Sequence, residues 1–239
     1  MALEAVDRPE TQEDKIGPGH DEILLITDHQ SAEWLAAQGV EVDVFIEKGY
    51  VKNAEELTAE YAPYEDASVF IGVKRHGQTI GSARLTTPDE NGFKTINDAR
   101  AGKLNVTEEG WALLSKFDLD TQGFEVGTMA IKDGFRSGPF APDSVSASVY
   151  AGIVSYTKRY ADQQGRDERG FVLASFDQHF FDNFSSAFGE SVQPLGPEQM
   201  YMGSLTIPVI IDVEKLLSDD VSGLSPLLES LSQATQSDV

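Results

Sequence analysis

The amino-acid sequence predicts a single α/β (α+β) domain: a mixed central sheet with helices on both faces. Three observations predict it. Helix-like and strand-like stretches alternate along the chain instead of segregating, the pattern of a sheet covered on both sides. Two β-rich runs, Val69–Arg75 and Thr79–Thr86, flank His76-Gly77-Gln78 and make a hairpin. The apolar run FEVGTMAI (Phe124–Ile131) then leads through DGFRSGPFAP into a long stretch with an apolar stripe at helical spacing. At 239 residues the chain falls between one and two domains of ~150 residues each, long enough to bury a core without staples.

Taken in order, residues 1–20 are polar, acidic and broken by Pro9, Gly17, Pro18 and Gly19, and read as a flexible arm. Ile23–Ile26 is a first short strand. Ser31 is a good N-cap for a short helix, followed by a segment ending near Gly49. Asn53 starts a second helix, stopped before Pro63. After the hairpin, residues 87–120 are polar with a few apolar anchors and hold a loop and one short helix. Asp143 or Ser144 caps the long helix to Gln164, whose stripe is Val145, Val149, Ile153, Tyr156 and Tyr160. Gly170–Phe176 is a buried strand and Gln178–Phe188 an aromatic-rich helix. Ser204–Val213 is a strand in which Pro208 predicts an edge position or a bulge. The domain therefore spans 21–217, and 218–239 form a Ser/Asp/Gln-rich tail.

Composition excludes several functions. Forty acidic residues against 18 basic ones give a net charge of −22, which disfavours nucleic acid and anionic membranes as partners. Without cysteine there is no thiolate nucleophile, zinc ribbon or iron–sulfur site. The four histidines are far apart, so no metal site is expected. G-x-S-x-G, P-loop, G-x-G-x-x-G and H-E-x-x-H motifs are absent. No apolar window is long enough to span a membrane, and the N-terminal residues lack a secretory pattern, so a cytoplasmic protein is expected.

The segment from Phe124 through Arg136, Ser137 and Gly138 to the long helix has two readings. Exposed amides and the positive helix end suit a pyrophosphate, with Arg136 adding charge; equally, it is an ordinary strand-to-helix connection.

The order of segments resembles the GNAT acyltransferase superfamily, in the branch of acyl-homoserine-lactone synthases and long-chain N-acyl amino acid synthases. VFIEKGYV (44–51) and YAPYEDAS (61–68) resemble segments that precede the hairpin in that family. The hairpin FIGVKRHGQTIGSARL ends in the family's Gly-x-x-Arg-Leu, FEVGTMAI stands at its Glu-x-Ser-Arg, and VQPLGPEQMYMGSLTIPVIIDV resembles its closing segment. The match runs over roughly residues 40–215. Two family arginines are replaced, by Glu41 and Thr128, and the serine by Gly127.

The resemblance implies an N-acyltransferase that moves an acyl group from a thioester donor to a small amine or amino acid. It implies that no cofactor is tightly bound and that acyl-coenzyme A or an acyl-phosphopantetheine serves as co-substrate. A long chain on an acyl carrier protein is the expected donor. The same resemblance implies roles for individual residues. Glu125 is the general base, or a buried carboxylate paired with Arg84. Arg84 holds an acceptor carboxylate, or satisfies Glu125 or Asp66. Asp66 binds the acceptor amine or caps a turn, and Thr128 lies in the acceptor region. The amides of Met129, Ala130 and Ile131 polarise the thioester and pair with the pantetheine arm in a split between 124–131 and 170–176. Phenylalanines of 180–188 line an acyl pocket or pack in the core. Lys158, Arg159, Arg166 and Arg169 dock an acidic carrier protein or form a solvated helix end. The missing arginines imply that homoserine lactones are not the product, and a non-catalytic ligand-binding role is the alternative.

Overall fold

A computed structural model describes residues 21–120, 123–136, 144–163 and 170–218. The expected arm at 1–20, the tail beyond 218 and the Asp143 cap lie outside the described residues. Elements follow in the order β1 (Asp21–Ile26), α1 (Ala32–Glu47), α2 (Ala54–Tyr61), β2 (Ser68–Arg75), β3 (Gln78–Thr86), α3 (Lys94–Arg100), α4 (Glu108–Leu114), β4 (Phe124–Ile131), α5 (Val145–Gln163), β5 (Phe171–Asp177), α6 (Gln178–Phe188), β6 (Val192–Pro194), β7 (Gln199–Tyr201), β8 (Ser204–Asp212) and α7 (Val213–Ser218).

The strands form one sheet in the order β1-β2-β3-β4-β5-β8-β6, with β7 also paired to β8. β4 and β5 make the one parallel pair among the described strands; the others run antiparallel. Strand alternation divides the core into two layers. On β5, Val172 and Ala174 pack with α5 and α6, whereas Phe171 and Leu173 pack with Phe93, Ile96 and Leu114 of the α3–α4 region. On the same side as α3, α1 covers β1 and β2 through Trp34 and Ala37 against Leu24, Ile26 and Phe70.

The caps anticipated from sequence hold α1 and α2: Ser31 accepts from the Trp34 amide, and Asn53 from the Glu56 amide. Ser144 caps α5, accepting from the Ala147 amide at 3.0 Å. Three local expectations are corrected. The first helix does not stop short: α1 continues through Gly39 to Glu47, because the buried Val40, Glu41, Val44 and Phe45 keep a helical stripe on the sheet. Residues 87–120 hold two helices instead of one. Pro208 lies in an interior strand, between β5 and the β6/β7 side, without a bulge. Its missing N–H is tolerated because it falls between the end of β6 and the start of β7, where its carbonyl instead accepts from the Leu195 amide at 2.7 Å.

Candidate active site at the strand split

β4 and β5 are hydrogen-bonded neighbours over three residue pairs, Phe124–Val172, Glu125–Leu173 and Val126–Ala174. The split then opens. On β4, Thr128 faces Arg84 of β3 while Val126 faces Leu85, so Gly127 is an extra, bulged residue. A bulge bends its strand, and here β4 follows β3 away while β5 follows β8. A cavity of about 260 Å³ lies along the opening. Gly127, Thr128 and Met129 line it on β4, and Ser175, Phe176 and Asp177 on β5. Behind the sheet it is an apolar chamber walled by Ile153 and Val154 of α5, Phe180, Phe184 and Phe188 of α6 and Leu216 of α7.

Strand parity determines which backbone groups face the opening. The Lys132 amide donates to the Ile80 carbonyl at 2.9 Å, so alternation turns the amides of Ala130 and Thr128 to β3. Those of Met129 and Ile131 point to the side that β5 has vacated. Two of the three amides singled out from sequence thus face the split, and the third belongs to the β3 ladder.

Glycine at position 127 has a steric reason. The Tyr61 hydroxyl donates to the Gly127 carbonyl at 2.7 Å, and a Cβ on Gly127 would stand 2.9 Å from the Tyr61 ring. The serine of the resembling segment has no room here while Tyr61 keeps that place.

Glu125 is buried on the α3 side of the sheet but is not one of the residues that line the cavity. Its oxygens accept from the Thr95 amide (3.1 and 3.2 Å) and from Thr95 Oγ1 (2.7 Å). Phe93, the N-cap of α3, makes no side-chain capping bond, so Glu125 caps the helix from across the core. Burial pushes its carboxyl above the usual carboxylate range, against the pull of the Thr95 hydrogen bonds. The pairing with Arg84 does not form, because Arg84 has other partners.

Those partners are Glu41 and Glu65. Arg84 Nε and Nη2 donate to the two oxygens of Glu41 at 3.0 and 2.9 Å, and Nη1 to Glu65 at 2.6 Å. The guanidinium is 1% exposed and stacks over Phe70 and Tyr61 at 4.6 and 4.9 Å. Burial disfavours its charge, but Glu41 and Glu65 outweigh that and hold its pKa above the normal guanidinium value. Thr128, which lines the cavity, donates its hydroxyl to Glu41. Asp66, proposed from sequence as a partner of Arg84, is exposed in the turn before β2.

A second cluster escaped sequence reasoning. Lys94, 3% exposed, donates to Asp98, to Glu60 at 2.9 Å and to the Tyr201 hydroxyl at 3.1 Å. Tyr201 lines the cavity and donates to Asp98 at 2.6 Å. Burial opposes the Lys94 charge and the Asp98 charge alike, yet their mutual hydrogen bond keeps both ionised: Lys94 shifts up and Asp98 down. The available signal was an opposite-charge pair at i, i+4 in a polar stretch.

The remaining candidates are dispersed. Arg136 donates to the Ile131 carbonyl at 2.8 Å and forks onto Glu47 of α1 at 2.7 and 2.8 Å. Ser137, Gly138, Arg166 and Arg169 lie outside the described residues, as does the side chain of Lys158. Arg159 sits half-buried on α5.

No protein-family model matches the sequence, and no curated protein matches it either. Solved structures do. FeeM, an N-acyl amino acid synthase from uncultured soil microbes, aligns with a TM-score of 0.58 at 14% identity, over 85% of this chain and 96% of its own. TofI, solved in a ternary complex with an inhibitor and MTA, gives 0.54 at 15% identity over 86% and 95%. BjaI with MTA, a CoA-dependent acyl-homoserine lactone synthase, gives 0.51 at 15% over 91% and 100%. The fold is that of the GNAT acyltransferases. The bulged β4, the short parallel seam and the cavity of this chain all lie within that GNAT-like sheet. Among the described residues no helix is long and apolar enough to cross a membrane.

Proposed function

We propose that the protein is an N-acyltransferase that passes an acyl group from a thioester donor to a small amine. The observation that carries this reading is the split between β4 and β5, because it joins strand amides turned away from the β3 ladder to an apolar chamber. An acyl-pantetheine is an extended amide chain ending in a hydrocarbon, and the two parts of the cavity offer each its complement. The arm pairs with the vacated edge of β4, where the Met129 and Ile131 amides point. The acyl chain enters the chamber between α5 and α6, where burial is worth ~0.8 kcal/mol per methylene.

In the reaction the amine nitrogen attacks the thioester carbonyl carbon. The carbonyl π electrons move to oxygen, where an amide donor at the β4 edge stabilises them by a few kcal/mol. The C–S bond then breaks, and the thiolate receives the proton that the nitrogen gives up. Glu125 takes a supporting place in this reading: it fixes the first turn of α3, and through Lys94 and Asp98 that turn holds Tyr201 at the cavity wall. Arg136, engaged by Glu47, favours a donor with few phosphate contacts, which supports an acylated carrier protein over free coenzyme A.

The test supplies acetyl, octanoyl and palmitoyl groups, each on coenzyme A and on acyl carrier protein, together with a panel of amines and with S-adenosylmethionine. Thiol release and the mass of the amide are read together. Amide formation that rises with chain length, and fastest from the carrier protein, is expected, without acyl-homoserine lactone. No amide from any donor would overturn the reading.

A further inference from the structure

We infer that the acceptor is an amine that carries no carboxylate, of the arylalkylamine or alkyl diamine class, and not an amino acid. The inference rests on the acyltransferase reading above and concerns the acceptor end of the same cavity.

Binding a carboxylate in a buried site takes a cation with donors to spare, most effectively a guanidinium fork. Among the described residues no Lys or Arg lines the cavity, and both buried cations on the α3 side of the sheet are already neutralised by two carboxylates each. Arg84 spends its Nε and Nη2 donors on Glu41 in a fork and Nη1 on Glu65. An acceptor carboxylate brought to Arg84 would be the third carboxylate around one guanidinium, beside the fully buried Glu41. Lys94 has three N–H donors, and Asp98, Glu60 and Tyr201 accept them.

The wall of the cavity adds to this. Two of the residues that line it have a carboxylate one side chain behind them: Glu41 behind Thr128, and Asp98 behind Tyr201. Asp177 stands on the wall itself. The other polar side chains along it are neutral: Ser175 and Thr206 line the cavity, and among the described residues their buried hydroxyls have no hydrogen-bond partner. A negative background with neutral hydrogen-bonding groups favours an ammonium and raises the free energy of a bound carboxylate, since like charges brought together in a water-poor site repel strongly. The net charge of −22 acts in the same direction on the approach of a cationic acceptor.

Matched pairs test it: tyramine against tyrosine, and cadaverine against lysine, with octanoyl-coenzyme A and octanoyl-acyl carrier protein as donors. The decarboxylated member is expected to give a kcat/KM higher by on the order of tenfold or more. Equal or higher values for the amino acids would overturn the inference while leaving acyl transfer intact. Calorimetric binding of the four amines to the protein alone reads the same preference without turnover, so failure of the reaction and failure of the acceptor class give different results. A Glu65→Gln variant, which loosens one arm of Arg84 at the half-exposed side, is expected to narrow the tyramine-to-tyrosine ratio several-fold. An unchanged ratio would show that the carboxylate charge gathered around Arg84 does not set the preference.

Discussion

Thr128 and Glu41 are hydrogen-bonded to each other across 87 residues of sequence. They are also the two positions at which the resembling segments carry arginines, so the two departures from that pattern are one coupled change. With a carboxylate at 41, Arg84 gains a buried partner, and with a short hydroxyl at 128, Oε1 of that carboxylate accepts a second hydrogen bond.

Removing Glu41 should therefore be expensive. Glu41→Ala leaves a buried guanidinium with Glu65 alone, and a loss of about 3–5 kcal/mol is expected, the usual consequence of stranding a buried charge. Glu65→Ala, at the half-exposed end of the same network, should cost clearly less. Urea unfolding of both variants checks the order; equal losses would contradict the geometry.

Restoring the serine at position 127 should destabilise the fold. A Cβ there meets the Tyr61 ring at 2.9 Å, so the ring must leave and its hydrogen bond to the Gly127 carbonyl breaks. A cost of about 1–3 kcal/mol is expected for Gly127→Ser. Adding Tyr61→Ala should cost less in that background than in the wild type, a non-additivity that thermal unfolding of the single and double variants measures.

Glu125 gives a pH signature. Its carboxyl is raised in the folded protein by burial, relative to ~4.3 for an unfolded glutamate. A raised group binds its proton more tightly when folded, so its contribution is complete below the unfolded value and is lost as pH rises through the folded one. The stability advantage of wild type over Glu125→Gln should accordingly be greatest in acid and shrink towards neutral pH. Asp98, held below its normal range, has the opposite sign and loses its contribution as pH falls. Denaturant midpoints of the two proteins across acid and neutral buffers decide the matter; a gap that widens with pH would refute the assignment.

On the acyltransferase reading, the chamber is expected to set chain length. Ile153 faces it from α5, and Ile153→Trp should fill the space of several methylenes. With palmitoyl and octanoyl donors compared, the variant should lose palmitoyl transfer by at least about tenfold while octanoyl transfer changes little, since each excluded methylene is worth ~0.8 kcal/mol. An unaltered chain-length profile would place the acyl group elsewhere.

Much of this fold was legible. The strands with continuous apolar or β-branched runs and the helices with capped stripes announce themselves locally: Gln178–Phe188 matches α6 at both ends because Asp177 caps it and Gly189 follows it. Three-residue strands such as β6 and β7 carry no period of their own and exist because β8 offers them an edge. At the site, Glu125, Arg84 and Thr128 could be singled out by segment order, but their partners could not. Thr95, Lys94 and Asp98 lie in a polar stretch whose burial depends on α3 being laid over β4, a tertiary fact with no local signature. The pairing of Arg84 went to Glu41 for the same reason: a buried glutamate in the stripe of α1 is recognisable only once the helix is placed on β3.

The three pairs between β4 and β5 also have a mechanical meaning. To one side lies an antiparallel block, β1 to β4, and to the other a second, β5 to β8, each laced along most of its length. Between them runs a seam of Phe124–Val172, Glu125–Leu173 and Val126–Ala174. The sheet is thus two stiff leaves on a short hinge pin, and the pivot stands at one end of the opening. Any change in the angle between the leaves would be felt most at Ile131 and Asp177, the far ends of the two strands, and least at Phe124 in the seam. Behind the seam, α5 and α6 bear on both blocks through one continuous apolar cluster, so girth at the mouth would be set by that shared core as much as by the three pairs of the seam.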